Sequence, residues 1–80
     1  MNHRIEHNYV TAAEEAGELI QALMKMVRFP DYDDTEKFEN IRREWNDLSA
    51  MMFTLGFTAD EDEMSRKIEK VDYHYKKMYG

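Results

Sequence analysis

The chain has 80 residues, a formal net charge of −6, no cysteine and one proline. That length sets one domain over residues 1–80, with a core small enough to need support from self-association or a bound metal. The lack of cysteine excludes disulfides and thiolate metal sites, and the acidic balance argues against nucleic acid or an anionic membrane surface as partner.

No apolar run approaches the roughly 20 residues of a spanning helix, and no signal-peptide apolar core follows Met1-Asn2-His3-Arg4. A cytoplasmic protein is expected. Residues 1–8 are polar and either precede or extend the first helix. That helix is expected over about Asn8–Arg28, with Thr11 and Glu14 at capping-box spacing. Phe29-Pro30 ends it, since the residue before proline is pushed out of helical geometry. An acidic loop from Asp31 to Thr35 follows.

Asp34 or Thr35 caps a second helix, which carries Phe38, Ile41, Trp45, Leu48, Met52 and Leu55 on one face and stops at Gly56. Thr58 or Asp60 caps the third, with Asp60 and Glu63 as a further candidate capping box. Met64, Ile68, Val71, Tyr75 and Met78 then form an apolar stripe at helical spacing. No strand pattern is present. The class is all-α, a helical bundle of about three helices per chain. Two copies would complete a four-helix core; a monomeric three-helix bundle is the simpler alternative.

Four acids stand out. Glu15 and Glu18 lie three residues apart in the first helix, and Glu44 and Asp47 repeat that spacing in the second. On a helix such a pair shares one side, one turn apart. At about 100° per residue, Ala12, Ala16, Leu19, Leu23 and Met26 fall in one arc with Glu15 at its edge, and Ile41, Trp45, Leu48, Met52 and Leu55 fill the same arc beside Glu44. The pattern occurs twice, offset by 29 residues (15 to 44, 18 to 47), as in an internal pseudo-repeat. A solvated helix face usually carries lysine or arginine four residues on, whereas here Leu19, Ala22, Leu48 and Met51 occupy those positions. Clustered carboxylates suit a hard cation such as Mg²⁺ or Mn²⁺; the competing reading is four ordinary solvated acids. Glu-x-x-His pairs of the di-iron kind are absent.

Lys25 lies two turns beyond Glu18 on the same side, and Arg28 follows near the helix end. Both suit phosphate oxygens or, equally, the negative end of the helix dipole. Lys67 flanks the stripe of the third helix and is a further phosphate candidate beside its reading as a surface lysine. Trp45 and Phe38 read as core, and the seven methionines as gap-filling core or interface residues. His3, His7 and His74 are scattered, and no P-loop or nucleophilic triad spacing is present.

Glu15-x-x-Glu18, 25 intervening residues, and Glu44-x-x-Asp47 resemble the metal-binding signature of the MazG-like all-α nucleoside triphosphate pyrophosphohydrolases. Ala13 to Ala22 is similar to the first-helix motif of small phage and bacterial members, Lys25 and Arg28-Phe29 to the run after it, and Lys67 to Val71 to their lysine-rich last helix. Asn46 and Pro30 depart from the pattern, standing where glycine is common. The resemblance implies hydrolysis of a ribo- or deoxynucleoside triphosphate to the monophosphate and pyrophosphate. It also implies Mg²⁺ held by Glu15, Glu18, Glu44 and Asp47, with Mn²⁺ as substitute, phosphate contacts from Lys25, Arg28 and Lys67, and a homodimer or homotetramer. The rival expectations are a small acidic helical adaptor and a nucleotide-binding protein without catalysis.

Overall fold

The first helix begins five residues ahead of its expected start at Asn8. In the computed structural model, which describes residues 1–30 and 34–80, α1 runs over His3–Arg28. Its cap is Asn2, whose Oδ1 accepts from the Ile5 N–H at 2.8 Å. An asparagine there satisfies an otherwise orphaned first-turn donor, and Glu6 in the first turn complements the helix dipole. Thr11, expected as a cap, therefore lies inside α1. At the other end Phe29 leaves helical geometry just before Pro30, as the pre-proline restriction requires, while its N–H still donates to the Lys25 carbonyl at 3.1 Å.

The second helix, α2, runs over Asp34–Thr54, so Asp34 and Thr35 belong to its first turn; the expected loop at residues 31–33 lies outside the described residues. Lys37 ties the two helices together. It pairs with Asp34 at 3.0 Å, and its ammonium also donates to the Phe29 carbonyl. One half-buried cation thus serves a carbonyl at the end of α1 and an acid at the start of α2.

Gly56 stops α2 as expected. The Phe57 N–H donates to the Met52 carbonyl at 2.9 Å and the Gly56 N–H to the Phe53 carbonyl at 3.0 Å. That pair of bonds is the Schellman arrangement, which needs a left-handed residue at the position Gly56 holds with φ of 93°. The third helix, α3, spans Glu61–Tyr79 and is capped by Asp60, whose Oδ1 accepts from the Glu63 N–H at 3.0 Å.

The packing is two-layered at one place only. Residues 12–16 of α1 lie against 45–53 of α2, and residues 25–29 against 36–43, so the two helices form an antiparallel hairpin. The centre of its seam is built from small side chains. Among the described residues only Ala12 and Ala22 are buried, with Ala16, Leu19, Met26, Ile41, Leu48, Met51, Met52 and Leu55 half-buried around them. α3 packs against neither α1 nor α2, and every residue of it is exposed. Trp45 and Phe38, expected in the core, are 55% and 60% exposed. Trp45 lines an open groove with Ala16 and Phe53, and Phe38 a shallow hollow with Met26 near the start of α2. The radius of gyration is 15.8 Å, against about 12 Å for a compact domain of this length. No helix among the described residues is long and apolar enough to cross a membrane.

The two glycines of the hairpin respond oppositely to a methyl group. A Cβ meets nothing within 4 Å at either Gly17 or Gly56, so only the backbone decides. Gly17→Ala, in mid-helix, is expected to stabilise by roughly 0.5–1 kcal/mol. Gly56→Ala, at positive φ, is expected to destabilise by roughly 1 kcal/mol. Urea titrations followed by circular dichroism check both signs.

Candidate metal centre

The antiparallel hairpin brings the two acid pairs together. Glu15, Glu44 and Asp47 each place a carboxylate oxygen so that all three lie within 4.8 Å of one another. The seam explains how. Each glutamate stands at the edge of its helix's apolar arc, so small residues that let the helices approach closely also draw the two glutamates into the junction. Glu15 and Glu44 are half-buried, while Asp47 and Glu18 stand outside them, exposed on one flank.

The electrostatics follow from that crowding. Loss of hydration, then the charges of Glu18, Asp47 and Glu14, hold the Glu15 carboxyl above its ordinary range. Glu44 is also raised, first because its carboxyl and that of Glu18 are close enough to share a proton, then by desolvation and the charges of Glu18, Asp47 and Glu15. All four acids therefore act on one another, although only three present oxygens to a common point. The Oε2 atoms of Glu15 and Glu44 are sealed from solvent and have no hydrogen-bond partner. A buried acceptor without a donor is unfavourable. Two such glutamates in a group of carboxylates, with no salt bridge to any of the four acids among the described residues, match the donor set of a hard divalent cation. The residues present fit such an ion.

A polar cleft of about 570 Å³ lies further along the hairpin, lined by Lys25 and Phe29 of the α1 end and by Glu36, Lys37, Glu39, Asn40 and Arg43 of α2. Lys25, expected as a phosphate contact, faces this cleft, roughly 10 Å along α1 from Glu18 at 1.5 Å per residue. Arg28 lies exposed in the last turn of α1 and does not line the cleft. Lys67 lies on α3 and is not brought to the acids within one chain. Arg43 and Asn40 were not singled out from the sequence. Each precedes an acid of the second pair by four residues, Arg43 before Asp47 and Asn40 before Glu44, which puts them on the acids' own flank. Looking four residues back as well as four forward finds them. Among the described residues Arg43 makes no ion pair with Asp47.

The opposite flank is apolar. Ala12, Ala13, Ala16, Trp45, Leu48, Met52, Phe53 and Phe57 line a groove of about 960 Å³ there. No protein-family model matches the chain, and no curated protein and no solved structure matches it.

Because both glutamates have raised pKa values, the folded state without cation binds protons more tightly than the unfolded chain between the ordinary carboxylate range and the raised values. Through that window the contribution of these groups to stability is lost as pH rises. Glu44→Gln removes one charge and supplies an amide donor to its neighbours. In chelator at pH 7 the variant is expected to melt at a higher temperature than the wild type, with the gap narrowing towards pH 5. Parallel thermal melts at the two pH values check this; a lower melting temperature at pH 7 contradicts it.

Proposed function

We propose that this chain is a Mg²⁺-dependent nucleoside triphosphate pyrophosphohydrolase, with Glu15, Glu18, Glu44 and Asp47 as the metal-holding acids. The observation that carries the reading is the gathering of one carboxylate oxygen each from Glu15, Glu44 and Asp47 within 4.8 Å of one another, at two glutamates that each also hold a solvent-sealed, unpartnered Oε2. The resemblance of the Glu15-x-x-Glu18 and Glu44-x-x-Asp47 spacing to the MazG-like signature supplies the reaction class, and the polar cleft further along the hairpin, which carries Lys25, Lys37 and Arg43 as well as Glu36 and Glu39, is in keeping with a polyphosphate substrate.

When bound, a divalent cation supplies positive charge facing the triphosphate and acidifies water. The rest falls to the protein. The reaction adds a water oxygen to the α-phosphorus and breaks its bond to the bridging oxygen, which leaves with pyrophosphate. The water proton goes to a carboxylate of the cluster or to adjacent Glu14. Such chemistry depends chiefly on placement and charge neutralisation. Lys25 and Arg43, on one side of the cleft's two walls each, suit the outer phosphates. Arg28 and Lys67 remain phosphate candidates, Lys67 from a neighbouring copy in a homodimer or homotetramer. A cytoplasmic setting accords with a nucleotide substrate.

A second reading, an acidic helical adaptor, draws on the exposed apolar groove around Trp45 and Phe53. Pyrophosphate release from a panel of canonical and modified nucleoside triphosphates separates the two. Release that requires Mg²⁺ or Mn²⁺ and stops with chelator is expected. Glu15→Gln and Glu44→Gln should each lower the rate roughly a hundredfold or more while leaving helicity unchanged. Full activity in both variants sinks the site assignment. If no triphosphate is cleaved, a metal-dependent rise in melting temperature distinguishes a binding protein from the adaptor, which gains nothing from the ion.

A further inference from the structure

The chain exposes more surface than a folded protein of its size. Its accessible area is 7121 Å² for 9.6 kDa, whereas a monomer of that mass exposes about 5,100 Å². The excess, about 2,000 Å² per chain, falls within the range that each partner of an obligate dimer buries. It is also apolar where it matters. On the hairpin, Trp45 and Phe53 are 55% and 72% exposed beside Ala16. On α3, Met64, Ile68, Val71 and Tyr75 form a continuous stripe, with Ile68 65% exposed.

We infer that the occupant of the hairpin groove is the α3 helix of a second copy, exchanged reciprocally. Three observations select that occupant over another protein. Among the described residues the groove and the stripe are both unpartnered in one chain, so each copy carries one donor and one acceptor surface and a pair satisfies both. The linker residues Phe57, Thr58 and Ala59 line the end of the groove, so α3 departs from beside the seat it does not fill. The excess area is of the size that each partner of an obligate dimer removes from solvent. The exchange lies on the apolar flank, away from Glu18 and Asp47, and does not depend on the enzymatic reading.

Trp45 is the sole tryptophan and lies at the seat, so it reports occupancy directly. Sedimentation equilibrium is expected to give at least twice the 9.6 kDa chain mass, with Trp45 emission moving to longer wavelength on dilution as that mass falls. A 9.6 kDa species whose emission ignores concentration overturns the proposal. Because the chain has no cysteine, Ser49→Cys and an affinity-tagged Ile68→Cys can be mixed and treated with a short bis-maleimide. A product containing one tagged and one untagged chain supports exchange. Its absence overturns exchange, as does a Ser49→Cys/Ile68→Cys double variant that links only within one chain. Ile68→Glu is expected to lower the mass and redden Trp45 together; an unchanged mass and emission count against the stripe as the docking surface.

Discussion

Four carboxylates crowd one stretch of a two-helix seam whose only buried side chains, among the described residues, are alanines, and the rest of the molecule answers to that fact. Close approach of α1 and α2 needs small residues at Ala12, Ala16 and Ala22. The same approach forces Glu15 and Glu44 towards each other and strips water from one oxygen of each. Charge crowding opposes the packing that creates it. The hairpin is held instead by its apolar contacts and by Lys37, which bridges the end of one helix and the start of the other. A divalent cation held there, as proposed above, would turn mutual repulsion into shared coordination. The acids on their own thus oppose the fold that gathers them.

The hairpin separates two chemistries by helix face. One flank carries Glu18, Asp47, Lys25, Asn40 and Arg43; the other carries Ala13, Trp45, Met52 and Phe53. Two antiparallel helices with matching patterns produce this division automatically. Rotation about an axis perpendicular to their plane exchanges the helices while keeping each flank on its own side. The pseudo-repeat therefore has a structural meaning: residues equivalent in the two copies of the pattern fall on the same flank, so acids gather with acids and apolar side chains with apolar ones.

Much of this was legible from periodicity. The ends of α2 and α3 follow from Gly56 and Asp60, whose capping roles are local, and the four acids follow from their equal placement at the edges of two apolar arcs. The start of α1 was less legible, because Asn2 and Thr11 are both competent caps and Thr11 has the fuller capping-box spacing. Arg43 and Asn40 stand one turn before the second acid pair, so a reading that looks only four residues forward of each acid passes over them. Trp45 and Phe38 were misplaced for a different reason. An apolar stripe says that a side chain seeks cover, and it does not say whether that cover comes from the same chain.

The detachment of α3 also divides the folding reaction. Contacts between α1 and α2 close over a short connection and belong to the fast, local class of folding events. Covering the stripe of α3 by another copy is an encounter between molecules, with a rate that scales with how many copies are present. Refolding would then resolve into a first-order phase that builds the hairpin and a second-order phase that seats the third helix. Synthesis at low copy number would leave the acid site assembled early, on a scaffold whose apolar face waits for company.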